Sequence, residues 1–211
     1  MNTMKSIFLF LTLLILSSCA SKKFNAKWLD KEAPSTFKAR FETTQGDFDI
    51  VARRLWSPKG VDRLHQLITN NYYEDVAIYR VVPKFVAQFG IHNDTLINNS
   101  WRNNGIEDEP VLAKNDYMTL SFARGGVKTR SNQLFINLKE NYRLDKLSNG
   151  GVTGYPVVAK VIAGRDNVLK FYDGYGGKLG YKQDSISRFG NKFLREKYPK
   201  VDYIIKAYII K

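Results

Sequence analysis

The feature that most limits how this chain can fold is a series of short, alternating apolar runs separated by turn residues. FKARFET sets Phe37, Ala39 and Phe41 on one side, and DFDIVA does the same with Phe48, Ile50 and Ala52. TQG stands between them, which is a hairpin pattern. VAIYRVV, MTLSFA, NQLFINL, YPVVAKVI and VDYIIKAYIIK read as further strands. One early helix is expected, because Ser57-Pro58 offers an N-cap followed by proline at the first helical position. Val61, Leu64, Leu67 and Ile68 then share one helical face. Many short strands and few helices predict a mainly β chain closed as a barrel or stacked as a sandwich.

One stretch does not fit a plain strand. YRVVPKFVAQFG, Tyr79 to Gly90, begins as a pleated run and breaks at Val82-Pro83, where proline cannot donate to a ladder. Arg80, Phe85, Val86 and Gln88 cluster around that break.

The first residues read as a targeting segment. Lys5 precedes the ten-residue, largely apolar run IFLFLTLLIL, too short for a bilayer span of roughly 20 residues but suited to a signal peptide. Leu16-Ser17-Ser18-Cys19 resembles the bacterial lipobox. Residues 1–18 are therefore expected to be a lipoprotein signal peptide. Cys19 is expected to be lipidated and to anchor the chain to a membrane of the bacterial cell envelope. Cys19 is the single cysteine, so no intramolecular disulfide can form. Residues 19–35 read as a lysine-rich tether, with Trp28 open to packing either on the domain or at a lipid interface. Residues 36–211 are expected to form one domain.

The net charge of +13 would suit an anionic partner. Lysine and arginine are scattered rather than blocked, however, so the basic surface reads as solvated and no nucleic-acid partner is expected. The cluster GYGGKLG from Gly174 places Leu179 where a dinucleotide fingerprint needs glycine, and it lacks the ending of a phosphate loop. It reads as turn glycine. His65 and His92 are the two histidines. With no cysteine left in the domain, no metal site is expected, and His65 reads as an exposed residue beside the apolar stripe of its helix. No cofactor is expected either.

FETTQGDF, YRVVPKFVAQFG, MTLSFARGG, NQLFINLKENYRLD and GYPVVAKVIAG occur in the order found in cyclophilins. The chain thus resembles a cyclophilin-type peptidyl-prolyl cis-trans isomerase from about Phe37 to Gly164, with the last strand also fitting. The resemblance implies an eight-stranded antiparallel β-barrel closed by helices, with an active site on its outer wall. It assigns Arg80 as the catalytic arginine, Phe85 as the aromatic of the proline pocket and Gln88 as the amide that orients the substrate backbone. Ala123 and Arg124 match the segment beside an extended substrate. Gln133, Phe135, Leu144 and Tyr155 match further groove and pocket positions, as does Val86. The implied partners are proline-containing polypeptide clients, bound by a monomer.

There are departures from the family pattern. Val86 stands where methionine is usual, and Arg143 where an aromatic rim residue contributes to binding cyclosporin. The loop KLSNGGVTG is longer than in compact members, and residues 171–200 form an insertion before the last strand. Ile186, Phe189 and Phe193 are expected to share one face of an extra helix there. Two other readings stay open: a catalytically weak peptide-binding or chaperone module, and a basic envelope protein that binds anionic polymer or lipid.

Overall fold

The computed structural model describes residues 24–211. The expected signal peptide and Cys19 lie outside the described residues. Strands β1 (Thr36–Thr43) and β2 (Phe48–Arg53) form the expected hairpin, with Phe41 opposite Phe48. Those two rings stack inside the barrel at 4.9 Å. Gly46 closes the turn at φ 103°, a conformation that glycine adopts without a Cβ penalty. Helix α1 (Pro58–Thr69) buries Val61, Leu64, Leu67 and Ile68 together, as their spacing predicts.

Two local expectations about α1 give way to tertiary contacts. Ser57 occupies the N-cap position, but its side chain does not cap the helix. Glu109 does so instead, accepting from the N–H groups of Lys59 (2.7 Å) and Gly60 (3.1 Å), where the helix dipole favours an anion. Ser57 donates its hydroxyl to the same carboxylate, and the fully buried Arg130 neutralises it at 2.9 Å. His65 is half-buried rather than exposed, with its ring edge against Phe37 at 5.0 Å.

The run VAIYRVV is two strands. β3 (Val76–Ile78) and β4 (Arg80–Val82) are interrupted at Tyr79, and β5 (Val86–Phe89) returns after the Pro83-Lys84 turn. Helix α2 (Thr95–Arg102) follows, capped by Asp94 through the N–H groups of Leu96 and Ile97. Strands β6 (Thr119–Phe122) and β7 (Leu134–Asn137) come next. The loop after them folds into the short hairpin β8 (Ser148–Asn149) and β9 (Val152–Thr153). β10 (Val157–Ala163), α3 (Arg165–Leu169), α4 (Gln183–Lys197) and β11 (Asp202–Ile210) complete the chain.

The nine segments of the main sheet are ordered β3-β11-β1-β2-β10-β6-β7-β5-β4. Its two end segments are consecutive in the chain, so the sheet curls until its edges meet at Tyr79. Counted as one broken strand, β3 and β4 bring the number to the eight expected. Closure removes the exposed edges of an open sheet and leaves an interior packed with Phe41, Phe48, Phe89, Leu120, Phe122 and Ile136.

The chain before β1 packs on the barrel. Trp28 stacks on Trp101 of α2 at 6.1 Å, and Phe24 meets Trp101 edge-on at 5.3 Å. Trp28 therefore covers apolar surface of the domain, and the second half of the expected tether is seated there. The insertion builds a second apolar cluster, in which Leu179, Ile186 and Leu194 meet Ala77, Tyr79 and Ile91. Phe189 does not join Ile186, as its spacing suggested, but is 56% exposed. Just beyond it the helix is kinked at Gly190, which has φ 61° and ψ −156°. A Cβ at Gly190 would also stand 2.5 Å from Asn93 Oδ1, so the kink is bound to that contact.

Candidate active site

The β-ladder aligns the central residues of the site. Arg80 lies opposite Gln88 in the β4–β5 pair, and Gln88 opposite Phe135 in the β5–β7 pair. The proline kink noted in the sequence is the turn of that first hairpin. It lets Arg80 and Gln88 stand side by side across two strands, while Phe85 sits at the corner. Arg80 Nη1 donates to Gln88 Oε1 at 2.9 Å, and Gln88 Nε2 donates to Gln133 Oε1 at 3.2 Å. Tyr79 completes the chain of bonds by donating its hydroxyl to Gln133 Oε1 at 2.5 Å. Its burial raises its pKa, keeping it protonated as a donor. No pattern in the sequence points to Tyr79 as part of the site.

Beside Arg80 is an apolar pocket of about 320 Å³. Val86, Phe135 and Leu144 form its buried floor, and Phe85, Ala123 and Tyr155 pack around them. The loop carrying Leu144 is tied down at both sides. Asn141 Nδ2 donates to Phe85 O at 2.8 Å, and Tyr155 N donates to Leu144 O at 3.0 Å. Tyr155 meets Phe135 edge-on at 5.8 Å. Arg143 stands at the rim, as the sequence register requires, with its guanidinium carbon 4.8 Å from the Phe85 ring centre. Arg80 approaches that ring at 5.7 Å. The phenyl group therefore receives two cations.

Ala123 donates its backbone N–H to Gln133 O at 2.9 Å, so this donor is not free for a bound chain. Arg124 stacks over Tyr155 at 4.7 Å and bonds the carbonyls of Val152 and Gly154. Burial lowers its pKa. All the expected site residues within the described chain thus gather on one outer face of the barrel. The insertion joins them unexpectedly: Gln183 lines the pocket, and Gly180 stands against Arg80. No motif signals these two, since each acts through a contact with a strand distant in sequence.

Residues 38–190 match the family described as cyclophilin type peptidyl-prolyl cis-trans isomerase/CLD. The chain belongs to the cyclophilin family. Among similar members, a peptidyl-prolyl cis-trans isomerase-like 2 from Gibberella zeae is 32% identical over 119 residues. That match covers 55% of this chain and 21% of the relative, so the chain spans about a fifth of that protein's length. A peptidyl-prolyl cis-trans isomerase-like 1 from Aspergillus fumigatus is 31% identical, covering 50% of this chain and 67% of the relative. The crystal structure of a cyclophilin type isomerase from Cryptosporidium parvum superposes with a TM-score of 0.57. At 19% identity over 83% of this chain and 98% of the other, that likeness establishes the cyclophilin fold.

Proposed function

We propose that this cyclophilin is a peptidyl-prolyl cis-trans isomerase acting on proline-containing chains in the bacterial cell envelope, held to a membrane by lipid on Cys19. The observation that carries the enzymatic part is the pairing of Arg80 with Gln88 at the mouth of the apolar pocket.

Rotation about a peptide bond meets a barrier of about 18–20 kcal/mol because twisting destroys amide resonance. In the twisted state the proline nitrogen becomes pyramidal and regains a localised lone pair. A fixed donor aimed at that lone pair stabilises the twisted state and hardly affects the planar ones, which is the condition for catalysis. Arg80 suits this role because a guanidinium stays charged and carries its donors in a rigid plane. The bond to Gln88 sets that plane, and Tyr79 sets Gln88 through Gln133. Phe85, Val86, Phe135 and Leu144 hold the pyrrolidine ring and exclude water, which strengthens the arginine contact. A million-fold acceleration needs about 8 kcal/mol, more than one hydrogen bond contributes. Orientation of the substrate backbone by Gln88 contributes to the rest.

The test is a proline-isomerisation assay on the soluble chain from residue 24, with Arg80→Ala beside it. Catalysis is expected, together with loss of most of it in a variant that melts normally. A folded Arg80→Ala protein with near-normal turnover would overturn the mechanism. The envelope location rests on the apolar segment and the lipobox-like LSSC. Cys19→Ser should release the protein from membranes of a bacterial host, and an unmodified Cys19 in mass spectra would remove this part of the reading. The other reading, a peptide-binding module of low activity, has the cation Arg143 over Phe85 in its favour. Binding of proline peptides without turnover would select it.

A further inference from the structure

The insertion leaves a basic and partly apolar surface beside helix α2. Residues 178–200 carry seven cations against two carboxylates, Asp184 and Glu196. Among the described residues, Arg195 alone of the seven forms an ion pair, with Asp75. Helix α4 joins α2 along a seam. Thr95 donates its hydroxyl to Ser187 O at 3.0 Å, and Asn93 Oδ1 accepts from Asn191 N at 2.8 Å. Each helix leaves an apolar side chain in solvent beside that seam: Leu96 of α2, 78% exposed, and Phe189 of α4. Arg188 holds its guanidinium carbon 5.2 Å from the Phe189 ring centre, and Lys192 stands exposed beyond the Gly190 kink. Asp94, the carboxylate of this corner, is engaged in capping α2.

The same helix receives the amino-terminal side of the chain. Phe24 packs on Trp101, and Leu96 lies about 7–8 Å from that residue along α2. Five residues lead from Cys19 to Phe24, a reach of at most about 18 Å. A lipid on Cys19 would thus hold α2 and the α4 seam close to the bilayer.

We propose that the seam bearing Leu96, Arg188, Phe189 and Lys192 is a docking face for an anionic phospholipid surface. The proposal rests on the lipid-anchor reading for its proximity to a membrane, but its contacts are measurable on a chain without lipid. Leu96 and Phe189 enter the headgroup boundary, where apolar burial favours binding. Arg188 and Lys192 meet the lipid phosphates, which attract basic groups lying within a Debye length of the surface. A tether alone leaves the domain free to turn. Docking of this seam fixes how the barrel stands on the membrane.

The experiment uses residues 19–211 with Cys19→Ser, which keep the whole described domain and carry no lipid. Co-sedimentation is measured with vesicles of phosphatidylcholine alone and of phosphatidylcholine mixed with phosphatidylglycerol. Binding is expected to the mixed vesicles only. Arg188→Gln with Lys192→Gln should weaken it about 30-fold, at about fivefold for each cation removed. Phe189→Ser should weaken it about tenfold through lost apolar burial. Lys38→Gln with Lys211→Gln removes the same charge at the end of β11 away from Tyr203, which Arg195 covers. That pair should weaken binding by no more than about twofold, since screening limits distant charges. All variants should melt near the parent and turn over a soluble proline peptide normally. Equal weakening by the two charge pairs would reduce the attraction to general charge and overturn the face, leaving the lipid anchor standing. No vesicle binding by the parent would overturn it as well, and Phe189-dependent binding of polyglutamate instead would assign the face to an acidic protein. An unmodified Cys19 in mass spectra, with vesicle binding intact, would remove the anchor and leave the docking face.

Discussion

Gly180 of the insertion lies directly over Arg80, so that a side chain there would bring its Cβ to 3.2 Å from Arg80 Cδ and 3.4 Å from Nε. Only a hydrogen leaves the guanidinium where it is. The insertion is therefore part of the active face, and its packing through Leu179 and Ile186 bears on the orientation of the arginine.

Gly180→Val should lower kcat/KM by about 10- to 100-fold, the cost of displacing a catalytic group by about an ångström. Gly180→Ala should lower it less, since the arginine stem can yield by a few tenths of an ångström. Both should melt close to the parent, because the obstruction is the flexible arm of Arg80 and not backbone. Full activity in the valine variant would mean that Arg80 is free to move aside.

Tyr79 acts on the site through Gln133. Tyr79→Phe removes the donor to Gln133 Oε1 but keeps the ring in its cluster. Loss of about 0.5–1.5 kcal/mol of stability is expected, with a several-fold drop in kcat at nearly constant KM. A rise in KM alone would assign Tyr79 to substrate binding instead.

Arg143 holds its charged head over the Phe85 ring at 4.8 Å, a cation where the family pattern has an aromatic. Cyclosporin, which the family binds with an aromatic at this position, should bind the parent poorly. Arg143→Trp should tighten that binding by roughly 1–3 kcal/mol, the range for burying a large side chain. Titration of both proteins while isomerisation is followed would decide it. Tight inhibition of the parent would show that the rim tolerates a cation.

Burial depresses the pKa of both His65 and His92 below their ordinary 6.5. A group with a lowered folded pKa takes up its proton more readily in the unfolded chain, so acid favours unfolding. This contribution is complete above 6.5 and is lost as pH falls toward the folded values. His92 Nδ1 also accepts from Asp94 N at 2.9 Å, a bond at the cap of α2 that protonation removes. The melting temperature should fall between about pH 7 and about pH 5, the range in which histidine charges. His92→Gln should flatten the fall. An equal slope in that variant would place the acid sensitivity elsewhere.

The amino-acid sequence determined the elements and the group of residues around Arg80. Alternation in FKARFET and the face Val61-Leu64-Leu67-Ile68 are local codes, fixed by the periods of strand and helix. The order of the short motifs brought Arg80, Phe85, Gln88, Phe135 and Leu144 to one register. Tertiary structure decided what depends on barrel closure. The break at Tyr79 exists because β3 and β4 must pair with β11 and β5 at opposite ends of one sheet. Glu109 caps α1 in place of Ser57 because a distant loop carries a full charge to the helix end. The kink of α4 at Gly190 meets Asn93, which leaves no room there for a Cβ and accepts from Asn191 N. Gly180 and Gln183 belong to the site because the insertion folds back on β4. Such contacts join residues far apart in the chain, and a local pattern holds no record of them.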